Sequence, residues 1–161
     1  MINATMCYLR VDDKILLLNR KPGERDIHHG FYVPPGGKTE RGERGIDCIL
    51  REYEQETGLR LQDPKLKAIV TFYNEGRILG GVKDPEDWCV EVYVATSFNG
   101  ALKPESPKAK PVWLTKADLQ IVRMHEGDRK LLDLLNQEGV FQVRVKYSGE
   151  VLEKLDIERV A

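Results

Sequence analysis

An α+β domain with a mixed β-sheet is the fold that this chain of 161 residues predicts. Apolar runs with strand-like alternation outnumber stretches of helical periodicity, the connections are short, and most carry Gly, Pro or Asn where the chain must turn. Residues 4–11 and 15–19 flank Asp12-Asp13-Lys14, which predicts an early hairpin. Residues 21–29 are polar and contain Pro22-Gly23, the composition of a loop. A short strand over 31–33 leads into Pro34-Pro35-Gly36-Gly37, where the glycines permit backbone conformations that a β-carbon disfavours. Between 45 and 57, Ile46, Ile49, Leu50 and Tyr53 recur at i, i+3, i+4 and i+7, so an amphipathic helix buries that face, with Cys48 off it. Gly58 stands at the C′ position, where a left-handed residue ends a helix. Strands follow over 66–73, 89–98 and 111–114, the middle one alternating Val90, Val92 and Val94 with Glu91, Tyr93 and Ala95. Asn74-Glu75-Gly76, Gly80-Gly81 and Asn99-Gly100 mark turns. A second helix is expected over 128–137, with Leu131, Leu132, Leu134 and Leu135 inward, and a hairpin of 141–147 and 151–157 around Ser148-Gly149 closes the chain.

Length and composition fit a single domain over residues 1–161 with a sizeable core. The 25 basic and 26 acidic residues leave a net charge of −1, so nothing points to duplex nucleic acid or an anionic membrane as the main partner. No apolar run reaches 18 residues, and the first ten residues lack a basic region followed by a long apolar one, so a cytoplasmic protein is expected. Cys7, Cys48 and Cys89 are odd in number and show no C-x-x-C spacing, which argues against a zinc site or a disulfide framework.

The chemistry concentrates in residues 37–59. Glu52 and Glu56 are four apart, so a helix stacks their carboxylates one turn from each other, close enough to share one hard cation. Oxygen ligands favour Mg²⁺ or Mn²⁺, and Mg²⁺ completes its octahedron with waters and substrate phosphates. Arg20, at the end of the second strand, is a candidate phosphate clamp because a guanidinium bonds phosphate oxygens bidentately; the alternative is a solubilising edge charge.

This stretch resembles the Nudix box, G-x5-E-x7-R-E-U-x-E-E-x-G-U with U a bulky aliphatic. Gly37, Glu43, Arg51, Glu52, Glu56, Gly58 and Leu59 fall on its positions; Tyr53 replaces an aliphatic and Gln55 the first glutamate of the pair. The resemblance implies a Nudix-type α/β/α sandwich and metal-assisted hydrolysis of a nucleoside diphosphate linked to another group. It also implies a metal set of Glu52, Glu56 and the Gly37 carbonyl, with Arg51 an orienting cation braced by Glu43. The Gln55 amide oxygen would orient a water or touch the metal. Lys108 stands where related enzymes place an acid, Glu105 being the nearest one.

The C-terminal run 141–149 and the hairpin after it resemble the MutT-homologue oxidised purine nucleoside triphosphatases. By that likeness Val33 occupies the place of a base-reading asparagine, His125 that of an aromatic stacker, and Asp128 that of one of two acidic residues. Asp128 also reads as a helix N-cap, and His125 as a loop residue. The implied substrate is a nucleotide, a triphosphate giving monophosphate and pyrophosphate. Competing readings are a hydrolase of a nucleotide sugar, a dinucleoside polyphosphate or an RNA 5′ end, and a Nudix-fold binding module without turnover. Retention of Glu52 and Glu56 speaks against the last. The oligomeric state stays open at this level.

Overall fold

The computed structural model describes residues 1–21, 30–79, 81–83, 85–149 and 151–161. Most of the loop expected over 21–29, with Gly80 of the expected Gly80-Gly81 turn, lies outside them. β1 (Ile2–Val11) and β2 (Lys14–Arg20) form the expected hairpin, Val11 opposite Lys14. Asp12 and Asp13 take positive φ of 51° and 61°, the left-handed pair of a primed two-residue turn, which short polar side chains tolerate. β3 (Tyr32–Val33) pairs with β2, and β4 (Gly36–Lys38) pairs antiparallel with β1, setting Gly37 opposite Thr5 and Gly36 opposite Met6.

α1 spans Gly45–Thr57, and Gly58 ends it at φ 82°, its N–H donating to the Glu54 carbonyl. Ile49 and Tyr53 are fully buried, and so is Cys48, contrary to its expected place off the apolar face. The helix runs beside β1 and β4 as well as over the sheet, so Cys48 is enclosed beside the Thr5 hydroxyl at 3.2 Å. β5 (Leu59–Gln62) and β6 (Lys65–Tyr73) follow, then a small hairpin of β7 (Ile78–Leu79) and β8 (Val82–Lys83). The strand expected over 89–98 is two strands, β9 (Trp88–Ala95) and β10 (Ser97–Gly100), because after Thr96 the chain leaves the main sheet to pair with β5. β11 (Ala109–Thr115) leads directly into α2 (Lys116–Ile121), a helix that periodicity did not disclose but whose capping box did stand in the sequence. The Thr115 hydroxyl accepts from the Asp118 N–H and the Asp118 carboxylate from the Thr115 N–H. The helix expected over 128–137 begins earlier, as α3 (Glu126–Leu132), and tightens to a 3₁₀ turn over Asp133–Asn136. β12 (Phe141–Ser148) and β13 (Val151–Arg159) form the closing hairpin.

Among the described residues the main sheet runs β11-β2-β1-β9-β6-β12-β13, with β3 and β4 pairing off that path. β1 with β9 and β6 with β12 are parallel and the other neighbours antiparallel, so the sheet is mixed. Each face has its own core. Val90 and Val92 of β9 join Val143 and Val145 of β12 and Leu131 and Leu134 on one side, whereas Tyr93 and Ala95 pack with Ile49 and Tyr53 of α1 on the other. The alternation of β9 is therefore between two cores, which gives the expected α+β architecture of helices on both faces. No described helix is long and apolar enough to cross a membrane.

Candidate active site

α1 holds the acidic residues in a braced array. Arg51 donates from Nε and Nη2 to the two carboxylate oxygens of Glu43, each at 2.8 Å, and from Nη1 to Glu52 Oε1 at 2.7 Å. A planar guanidinium thus ties the loop before the helix to the carboxylate on it. Hydrogen bonds from Arg51 and from the Glu40 N–H hold the Glu43 carboxyl down at about 2, and Glu43 and Glu52 together push Arg51 further above its ordinary value. With Oε1 of Glu52 engaged by Arg51, the rest of that carboxyl lies over Gly37. A β-carbon at Gly37 would overlap it, and one at Gly36 would overlap the Thr5 carbonyl oxygen. Neither glycine has a positive φ, so the sequence demands glycine there for space, not for an unusual backbone.

Glu56 lies one turn further along, where burial raises its carboxyl to about 7 while the nearby Arg20 opposes that rise, Glu52 adds to it, and the Gly36 N–H donates a stabilising hydrogen bond. Among the described residues no three His, Cys, Asp or Glu side chains converge as a metal site; the set expected from the sequence is two carboxylates and a backbone carbonyl. That set would suit a hard divalent cation: its donors are oxygens, and two half-buried carboxylates that repel each other call for positive charge between them.

Arg20, Gly36, Gly37 and Glu56 line a cleft of about 320 Å³ together with Val33, His125 and Asp128, whereas Glu52 is not among its lining residues. Residues dispersed from position 20 to 128 in the sequence thus share one cavity. A larger hollow, about 420 Å³ beside Gln62, Asp63, Lys65 and Lys67, shares no residue with it and holds none of these groups. Asp128 is 8 % exposed and its carboxyl is pushed up to about 7 by burial. It caps nothing: His125 is the N-cap of α3, and Asp128 sits in the first turn. The His125 ring stacks on Phe31 at 4.0 Å and 3°, while the Arg123 guanidinium lies 4.1 Å from the Phe31 ring, so one face of the imidazole is already covered.

Sequence reasoning missed part of the wall, namely Trp88, Phe72, Tyr147, Asn74 and Arg77. Asn74 reads as a turn residue, yet it is buried, its amide donating to the Glu86 carbonyl and its oxygen accepting from Arg77. Tyr147 accepts from the Gly127 N–H at 2.7 Å and carries the Arg77 guanidinium 4.6 Å from its ring. No local signal marks these residues, because pairing of β6 with β9 and β12 is what gathers them. Gln55 is exposed, and its carbonyl accepts from Lys103. Glu105 pairs with Lys21 at 2.8 Å and does not line the cleft.

The Gly37 contact carries a prediction. Gly37→Ala should leave the fold intact and displace the Glu52 carboxyl, weakening divalent-metal affinity by roughly tenfold or more. Metal titration followed by intrinsic fluorescence measures this, and an unchanged affinity would mean that Glu52 takes no part in holding the ion.

A family model, the NUDIX domain, matches residues 2–135. The chain is 36 % identical over 148 residues to YvcI of Bacillus subtilis, a protein described as an uncharacterized Nudix hydrolase, covering 91 % of this chain and 87 % of that one. It is 32 % identical over 93 residues to an ADP-ribose pyrophosphatase of Methanocaldococcus jannaschii, covering 57 % of this chain and 48 % of that one. The solved MutT protein of Bacillus halodurans superposes with a TM-score of 0.84 at 26 % identity, covering 98 % of both chains.

Proposed function

Because the chain belongs to the Nudix hydrolase family, we propose that it is a Mg²⁺-dependent pyrophosphohydrolase of a nucleoside triphosphate, with an oxidised purine as the preferred base. One observation carries this reading: Arg20, Gly37 and Glu56 of the expected phosphate site line the same cleft as Val33, His125 and Asp128 of the expected base site, so one nucleotide can meet both groups.

In this reading Glu52, Glu56 and the Gly37 carbonyl hold the ion. When bound, it neutralises charge on the phosphate chain and lowers the pKa of a water, Mn²⁺ serving in place of Mg²⁺. Arg51 fixes the orientation of Glu52 through its 2.7 Å bond, and Glu43 fixes Arg51. Arg20, near enough to Glu56 to lower its pKa, clamps phosphate oxygens. A water oxygen bonds to phosphorus as the bridging P–O bond breaks, giving monophosphate and pyrophosphate. In the same cleft His125 takes the place of the aromatic stacker beside the base. Asp128, whose carboxyl titrates near neutrality, both donates and accepts at the base edge when protonated. Gln55, exposed beside Glu56, orients solvent at the rim.

A second reading is hydrolysis of another nucleoside diphosphate derivative such as ADP-ribose. Val33 favours it, since an apolar side chain in the cleft wall gives a purine edge no hydrogen bond.

A phosphate-release screen with Mg²⁺ and Mn²⁺ over normal and oxidised purine triphosphates, ADP-ribose and dinucleoside polyphosphates tests both. The expected result is a higher kcat/KM for oxidised dGTP than for dGTP by about 5- to 150-fold, the worth of one satisfied base-edge hydrogen bond. Asp128→Ala should erase that preference and spare hydrolysis of the triphosphate. Equal kcat/KM for the two nucleotides transfers the assignment to the second reading.

A further inference from the structure

β13 (Val151–Arg159) is an outer strand of the main sheet, paired with β12 on one side and with no described strand on the other. An uncovered strand edge offers unpaired N–H and C=O groups to another chain, and scattered charges ordinarily deter such pairing. Here the charges do not deter it in one register, because the strand is its own complement.

The register with β12 fixes which way each side chain points. Leu155 and Ile157 lie opposite Val145 and Val143, on the face of the first core, whereas Lys154 and Asp156 lie opposite Lys146 and Arg144 on the other face. Ile157 is 45 % exposed although its neighbour Val143 is fully buried. Two copies related by a two-fold axis perpendicular to the sheet keep every residue on its own face, so a residue opposes only residues an even number of positions away, and allowed registers step by two.

Centred on Asp156, the pairing sets Lys154 opposite Glu158 and Leu155 opposite Ile157, each twice by symmetry. It joins Val145, Leu155 and the second copy's Ile157 and Val143 into one apolar row. Glu153, at the irregularity in the pairing with β12, marks where regular pairing ends. Asp156 meets itself on the axis, but Arg144 lies beside it on β12 and Lys154 Nζ is 3.5 Å from its carboxylate. Centred on Ile157, Asp156 would oppose Glu158 twice. Centred on Leu155, Lys154 gains Asp156 but Ile157 faces Glu153 and Glu158 faces Leu152. Opposite charges directly across a strand pair stabilise it and like charges oppose it, so the first register wins.

We propose that β13 pairs antiparallel with β13 of a second copy of this chain, centred on Asp156, so that a two-fold dimer carries one continuous sheet. The occupant is a second copy because the charge pattern complements itself.

Sedimentation velocity of the full chain over a wide concentration range at low salt tests this. Lys154→Glu and Glu158→Lys sit at exposed positions and leave the fold unchanged by circular dichroism. Each alone sets like charges opposite each other twice and should weaken dimerisation by about tenfold or more, whereas the double variant restores Lys–Glu pairing and recovers wild-type affinity. Asp156→Cys, on the axis, should form an interchain disulfide under mild oxidation. A monomeric wild type overturns the proposal, as does a dimer indifferent to the two single reversals, or one lost in them and not recovered in the double variant.

Discussion

Glu56→Gln should reduce turnover at subsaturating Mg²⁺ by roughly a hundredfold or more, a loss of at least about 2.7 kcal/mol of transition-state stabilisation. The substitution is nearly isosteric and removes one negative charge from a site whose other carboxylate already has Oε1 engaged by Arg51. The fold has little at stake. The Glu56 carboxyl is held at about 7 chiefly by its burial, so a neutral amide relieves a desolvation cost and the variant should melt no lower than the parent. Activity and stability therefore move apart, which a general loss of structure would not produce. Raising Mg²⁺ should recover part of the rate if Glu56 acts by holding the ion. A Glu56→Gln enzyme with parental turnover at low Mg²⁺ would remove Glu56 from the catalytic set and the proposed metal geometry with it.

The box was legible because it is local. One helix turn fixes the relation of Glu52 to Glu56, one glycine fixes the end of the helix at Gly58, and a spacing of eight residues fixes the Glu43–Arg51 brace, so residue types at set intervals carry nearly all the information. The two-sided sheet was legible in outline for the same reason, since periodicity of two marks a strand wherever it lies. What could not be read was assembled by distant pairing. Phe72, Trp88 and Tyr147 come from three strands, and only the β9-β6-β12 order brings them to one cleft. The break between β9 and β10 was hidden because Thr96 and Ser97 continue a plausible strand; the partner β5, not local propensity, decides where the sheet is left. Cys48 was misplaced because an axial projection of α1 shows one apolar face, whereas β4 covers a second flank of the helix.

Asp128 is expected to make the protein lose stability as the pH rises. Its carboxyl has an ordinary value of 3.8 and is pushed up to about 7 by burial, so between these values the folded state keeps a proton that the unfolded state releases. The sign follows from linkage: the stabilising contribution is complete below 3.8 and disappears as the pH climbs through about 7, a swing of order 4 kcal/mol for three units. Two groups near Asp128 enter the balance, since the Tyr8 and Tyr147 hydroxyls are each pushed further up by its negative charge. Both stay protonated throughout this window. The Tyr8 hydroxyl is buried with no hydrogen-bond partner among the described residues, so it does not donate to the Asp128 carboxyl. Asp128→Asn should consequently be more stable than the parent at pH 8, by roughly 1 to 3 kcal/mol after the loss of an acidic residue in the first turn of α3. At pH 4 the two should be nearly equal. Urea unfolding at pH 4, 6 and 8 measures the difference directly. A parent whose stability is flat over this range, with a variant that tracks it, would mean that Asp128 is solvated and ionised in the folded protein, and would remove the neutral carboxyl on which the base-reading role rests.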